Sequence, residues 1–160
     1  MSSWLTIATL VAIIGCGIVG GIFFAFSNFV MQALASRPSA EGLLAMQRIN
    51  ITVLNVGFLS VFMGTAIVSV IVAVAAITGW DATTSPFLLG GALAYVVGTW
   101  LVTGVGNVPL NNQLALVTPS DPEADALWTR YVSQWTKLNT LRTAAAVLAM
   151  MLFTLGLLQP

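Results

Sequence analysis

Four apolar runs, set apart by three short polar breaks, make up most of this 160-residue chain. Few folds can accept that pattern. An apolar stretch of about 20 residues is long enough to cross a bilayer as a helix. Inside the hydrocarbon no water is available for free backbone groups, so a spanning segment must satisfy them internally. Only 6% of the residues are charged, against roughly 25% in an average soluble domain. A water-soluble monomer of this composition would expose large apolar patches. The pattern predicts an all-α protein, a single four-transmembrane-helix domain over residues 1–160.

The breaks locate the helices at about 4–35, 40–77, 87–117 and 122–158. Ser36-Arg37-Pro38-Ser39 ends the first, and Gly79 to Pro86 separates the second from the third. Thr118-Pro119-Ser120-Asp121-Pro122 precedes the fourth, with Asp121 placed to cap it and Pro122 at its first position. Loops this short join antiparallel neighbours, which gives an up-down-up-down bundle. Pro109 lies inside the third helix, where it removes a hydrogen bond and frees the carbonyl near Val105. Gly17, Gly21 and Ala25, and again Gly90, Ala94 and Gly98, recur every four positions. Small residues at that spacing let membrane helices approach closely, within one chain or across a homo-oligomer.

Charge placement predicts topology. Arg37 and Arg48 flank the first loop, while Arg130, Lys137 and Arg142 follow the third; the middle loop carries only Asp81. Basic residues collect on the cytoplasmic side. Loops 1 and 3 are therefore expected in the cytoplasm and both termini outside, in a bacterial inner membrane. The formal net charge is zero and there is no basic run, so nucleic acid has no electrostatic footprint to bind.

The chain has one cysteine, Cys16, and no histidine. One thiol cannot form an intramolecular disulfide relay, and histidine-ligated metal or haem sites are excluded. No metal and no cofactor is expected. Cys16 follows a loose lipoprotein-like box, but no basic start precedes it and the apolar run continues past it; it reads as a packing residue. Gly15-Cys16-Gly17-Ile18-Val19-Gly20 spells a dinucleotide-binding pattern within a membrane helix, without the strand and acidic residue that motif requires. Asn50-Ile51-Thr52 spells a glycosylation acceptor on the expected cytoplasmic side.

The remaining polar residues converge once the helices are antiparallel. Asn28 is late in the first helix and Asn50 and Asn55 are early in the second. Asn107 and Asn111 are late in the third, and Asn139 and Arg142 lie in the first half of the fourth. Trp135, Asn139 and Arg142 form an i, i+4, i+7 stripe, with Tyr131 one turn earlier. No Asp or Glu lies in the apolar part of any helix. A buried arginine then needs amide or carbonyl oxygens, water or an anionic ligand. The bland alternative has Arg142 and Lys137 reaching lipid phosphates while the asparagines only hold helices together. Phe23, Phe24, Phe26 and Phe29 lie beside Asn28 and could wall a pocket for a flat apolar molecule or simply pack. Trp4, Trp80 and Trp128 suit interfacial anchors.

Several segments together resemble a known family. They are Gly21 to Met31, Met46-Gln47-Arg48-Ile49-Asn50, Asn107-Val108-Pro109-Leu110-Asn111-Asn112, and Trp135 to Thr143. In these segments the chain resembles, over nearly its whole length, the anthrone oxygenase-like family of small four-helix membrane proteins. The resemblance implies an oxygenase that converts an anthrone to an anthraquinone with O2, without metal or flavin. Arg142 would stabilise the substrate anion, with Asn107, Asn111 and Asn139 as hydrogen-bond donors. Asn28, Asn50, Asn55, Trp135 and Phe24 would contact the substrate. The expected partners are membrane lipids and an apolar aromatic small molecule. No histidine or intramembrane carboxylate offers a general base; Lys137, Asp125, Glu123 or ionisation of the substrate itself are the choices. A binding or transport component for a small amphiphile, or a structural membrane subunit, are the competing readings.

Overall fold

The computed structural model describes residues 1–160 and contains helices and no strands. We number the helices α1 (Ser3–Ala35), α2 (Ser39–Thr52), α3 (Val56–Thr78), α4 (Ser85–Ala115) and α5 (Ala124–Leu157). All except α2 are long and apolar enough to cross a membrane. The paired residues run in opposite directions along neighbouring helices. From α1 to α5, Ser27 meets Thr140, and Gly20 and Gly17 face Ala146 and Met150. From α4 to α5, Asn107 meets Trp135, Thr99 meets Arg142 and Leu88 faces Gly156. Tyr95 Oη of α4 donates to the Phe62 carbonyl of α3, and Ser85 Oγ donates to Ala76 further along. The spans therefore alternate up and down, with α1 and α4 each packed between α3 and α5.

The second expected helix is broken. Residues 40–77 divide into α2 and α3 at Val53-Leu54-Asn55. Ile51, Thr52 and Val53 are β-branched and poor helix formers, and Asn55 caps the new start: its Oδ1 accepts from Phe58 N at 3.0 Å. The other spans stretch rather than break. Phe26–Val30 in α1 and Ala94–Leu101 and Thr103–Asn107 in α4 are wide π turns. Those in α4 lead up to Pro109, which cannot donate a helix hydrogen bond. At the last loop, Asp121 does not cap α5. Its Oδ2 accepts from Thr118 N at 2.7 Å and closes the loop, and α5 starts at Ala124, after Pro122.

The small-residue stripes are half as expected. In α4, Gly98 lies against Ala145 and Gly90 against Leu152, so that stripe seats α5. In α1 the tight contacts are at Gly15, against Thr65 of α3, and Gly20, against Ala146; Gly21 has open space beside it.

Two apolar cores result. Cys16, Val19, Phe23, Phe62, Tyr95 and Phe153 belong to the first, at the termini end; Met31, Leu43, Met46, Leu114, Trp128 and Tyr131 belong to the second. Helix lengths explain the division. At 1.5 Å per residue, about 20 residues cross a hydrocarbon layer of about 30 Å. Counting 20 residues inward from Ser3, Thr78, Ser85 and Leu157 reaches Phe23, Phe58, Val105 and Lys137. Phe23 lies level with Phe58, their rings 6.3 Å apart, and Val105 with Lys137, since Gly106 lies against Leu138; the α1–α5 pairs set Phe23 closer to Arg142 than to Lys137. On this count the second core lies more than one hydrocarbon thickness from the termini end. The α2–α3 break and the π turns of α1 and of Thr103–Asn107 fall close to the boundary.

Candidate functional site

Irregular backbone at membrane depth is tolerated where it is buried or lines a cavity, and here a cavity of about 480 Å³ opens at that level. Its walls are largely apolar: Ile22, Phe23 and Phe26 from α1, Met46, Ile49, Phe58, Phe62 and Met63 from α2 and α3, and Val108 from α4. Ile51, Val53 and Leu54, at the break, form one side. Ile51 and Leu54 are 65% and 66% exposed, so this side faces outward from the bundle.

The polar contribution is small and specific: Arg142, Thr103, Asn111, Asn112, Asn50 and Gln47. Arg142 is 5% exposed. Its Nε and Nη2 donate to Asn139 Oδ1 at 3.0 and 2.8 Å, and its Nη1 donates to Thr103 Oγ1 at 3.1 Å. Its Cζ lies 3.7 Å from the Phe23 ring centroid and 5.1 Å from that of Trp135. A guanidinium over an aromatic face is stabilised by the ring quadrupole. No carboxylate pairs with it; the chain's one salt bridge joins Arg37 and Glu41. A guanidinium has five N–H donors. With three engaged, one N–H on each of Nη1 and Nη2 has no protein acceptor, and Arg142 lines the cavity.

Asn139 is fully buried and sets this arginine. Its Nδ2 donates to the Phe23 carbonyl and to Ser27 Oγ, both at 2.6 Å. The Oδ1 is thereby turned toward Arg142. A second group sits one turn away on α5: Asn111 Oδ1 accepts from Trp135 Nε1 at 2.8 Å and Tyr131 Oη at 2.9 Å. Asn50 Nδ2 reaches Tyr131 Oη at 3.4 Å. Asn107 Nδ2 donates to the Trp135 carbonyl at 3.2 Å, and its buried Oδ1 has no partner.

The structure thus brings together Arg142, Asn139, Asn107, Asn111, Asn50 and Trp135, though Asn139 and Asn107 stand behind the wall. Three of the expected contacts lie off this cavity. Phe24 is 56% exposed, and Phe23 occupies the place expected for it. Asn28 is exposed, and its neighbour Ser27 makes the inward contact. Asn55 spends its side chain on the helix cap and on the Thr52 carbonyl, off the cavity. The reason is angular. One residue along a helix turns the side chain by about 100°, so a register misplaced by one carries a side chain off the inward face. Lys137, Asp125 and Glu123 also lie off the cavity; Lys137 lines a separate groove. Thr103 and Ser27 join the site beyond the sequence expectation, and Tyr131 joins it from the stripe that carries Trp135. Thr103 precedes Asn107 by one turn, and Tyr131 precedes Trp135 by one turn, which was the available signal. Nowhere do three His, Cys, Asp or Glu side chains gather in a way that could hold a metal ion.

A family model described as anthrone oxygenase matches residues 51–152, well over half of the chain. That range includes Asn107, Asn111, Trp135, Asn139 and Arg142, and leaves out Asn28 and Asn50. Comparison with curated proteins and with solved structures gives no match. With four apolar spans and this family match, the chain is an integral membrane protein that belongs to the anthrone oxygenase family.

Proposed function

We propose that the cavity binds a flat, apolar ring system bearing one ionisable oxygen, of the anthrone type, and promotes its oxidation by O2 without metal or flavin. One observation carries this reading. Arg142 is buried without a carboxylate, lines an apolar cavity and keeps two N–H groups without a protein acceptor. A buried cation without a counter-ion is costly, and an anionic ligand oxygen is the partner that the cavity lacks.

The chemistry asks little of the protein. Loss of a proton from the ring methylene gives an electron-rich enolate. Its oxygen accepts hydrogen bonds from Arg142, which stabilises the anion as it forms. Attack of that carbon on O2 forms a C–O bond and a peroxide, and loss of water from the peroxide leaves a second carbonyl. Anthrone plus O2 gives anthraquinone plus water, with no other reductant or oxidant. No histidine, carboxylate or lysine lines the cavity, so the arginine acts by making the substrate a stronger acid, and the proton leaves to water. Asn111, held by Tyr131 and Trp135, presents its amide to the ring system. Phe23 and Trp135 supply its apolar walls. Arg142 lies about 7.5 Å along α5 from Lys137 toward the termini end, counting five residues, and the outward-facing side of the cavity at Ile51 and Leu54 admits an apolar substrate from the membrane. The basic end of the bundle faces the cytoplasm under the positive-inside rule.

The test is anthraquinone formation by purified protein supplied with anthrone and air. Wild type is run beside Arg142→Met and a protein-free blank, because anthrones oxidise unaided. A wild-type rate well above both, with both proteins folded, is the expected result. Equal rates refute the catalytic role and leave a binding protein for amphiphiles.

A further inference from the structure

On the other side of α5 from the cavity lies an open groove of about 530 Å³ between α1 and α5. Its polar residues are Ser27 and Gln32 of α1 and Ser133, Thr136, Lys137 and Thr140 of α5. The lining holds one cation, four hydroxyls and one amide, and no carboxylate. Lys137 takes part in no salt bridge. Thr136 Oγ1 is enclosed in the groove wall and has no hydrogen-bond partner. Most threonines in these helices donate back to the preceding turn, as Thr140 and Thr143 do.

Depth decides what such a groove meets. Lys137 lies 20 residues from the far end of α5, at the edge of the hydrocarbon by the 1.5 Å rise and a layer of about 30 Å. The α1 residues that face it lie beyond Phe23, on the same side of that edge. This is where lipid phosphates sit. A lysine without an acidic neighbour, among hydroxyl and amide donors, matches a phosphate oxygen in charge and hydrogen bonding.

We infer that the α1–α5 groove is a phosphate-binding site, occupied by the headgroup of an anionic phospholipid. Lys137 supplies the charge, and the exposed Gln32 and Ser133 supply donors. The site is independent of the cavity chemistry. It does share a wall with it: Thr140 and Ser27 hydroxyls are 3.0 Å apart, and Ser27 also accepts from Asn139.

The test is native mass spectrometry of the purified protein titrated with phosphatidylglycerol, for wild type, Lys137→Gln, Gln32→Leu and Arg130→Gln. Lys137→Gln should weaken the first bound lipid by about tenfold, from one lost charge at the membrane surface and its hydrogen bond. Gln32→Leu should weaken it less. Arg130→Gln, a cation at the same end but outside the groove, should bind as wild type does. Equal weakening by Lys137→Gln and Arg130→Gln would reduce the effect to general surface charge and overturn the site. So would wild-type affinity in Lys137→Gln. Thermal unfolding of each variant without lipid separates a binding loss from a folding loss. Inorganic phosphate at millimolar concentration is the second arm. Failure to displace the lipid supports a lipid headgroup, and full displacement assigns the site to free phosphate and overturns the lipid.

Discussion

Asn139 and Arg142 are bonded to each other, yet their removal should have opposite weight. Asn139→Leu takes away the acceptor of two guanidinium hydrogen bonds and two donor bonds to α1. Hydrogen bonds to a charged group contribute about 1.5–3 kcal/mol each. Interhelical bonds within membranes average about 0.6 kcal/mol. Losing all four therefore costs about 4 kcal/mol, most of it from a buried charge left with Thr103 alone. Arg142→Met removes the charge itself and keeps much of the side-chain volume. Replacing a buried ionic group by an apolar one of similar size is often neutral or stabilising. The Asn139 Oδ1 then loses its donors, which costs about 1–3 kcal/mol when no other donor is found. The cavity beside it admits water, so we expect the low end, about 1 kcal/mol. In the Arg142→Met background, Asn139→Leu loses its charge-related cost and should take only about 1 kcal/mol. The coupling from the double-mutant cycle is then about 3 kcal/mol. Equilibrium unfolding in mixed micelles measures all four proteins. Additive costs, or a larger loss from Arg142→Met than from Asn139→Leu, would refute the reasoning, because either means that the arginine is itself a folding contact.

Other outcomes follow from the same contacts. Gly15→Ala drives a Cβ into the Thr65 side chain and should destabilise by about 1–3 kcal/mol, whereas Gly21→Ala, with open space, should stay within about 0.5 kcal/mol; equal thermal midpoints in the pair would contradict the α1–α3 packing. Asn55→Ala should lower stability by about 1 kcal/mol through loss of the α3 cap, with unchanged ligand affinity by fluorescence titration, since the side chain is off the cavity. Asp81 is held down to about 2, first by the Thr83 hydroxyl and then by the Thr84 and Thr83 backbone N–H groups. A lowered carboxyl favours the folded state above its unfolded value near 4, and that contribution disappears as pH falls from about 4 to about 2. Asp81→Asn should flatten that part of a thermal-midpoint-against-pH curve, and an unchanged curve would count against the loop geometry.

Hydropathy made the four spans legible, because a run of 20 apolar residues has few alternatives. The cluster on α5 was legible too. Trp135, Asn139 and Arg142 share a face in an uninterrupted helix, where 3.6-residue periodicity holds. Periodicity failed where the helix was not regular. In α1, Phe23, Ser27 and Met31 face inward at intervals of four, a spacing that the π turn at Phe26–Val30 accommodates. Phe24 and Asn28 follow them by one residue and face out. In the second span, Asn55 looked like one more inward amide. It is instead the cap that a broken helix requires, and no Pro or Gly precedes it to announce the break. Wide turns and breaks are set by tertiary packing, which a single sequence does not display.

The position of Arg142 separates the two uses that a membrane arginine can have. An arginine kept for lipid contact sits at the boundary and reaches outward, as the position of Lys137 allows. Arg142 is about 7 Å deeper by helix rise, is buried, and is turned inward by Asn139. Insertion at the centre of a span costs about 2.5–3.5 kcal/mol. Two bonds to Asn139, one to Thr103 and the Phe23 face offset part of this. The same folding function could be met by a methionine without that cost. The backbone irregularities point the same way. The α2–α3 break and the π turns open space beside the guanidinium, where a bundle built only for stability would close it. An arginine that adds little to stability, beside a cavity it leaves incomplete, is expected when the missing contact is made by a bound molecule. If Arg142→Met loses only about 1 kcal/mol and loses anion binding, folding and function are divided between Asn139 and Arg142.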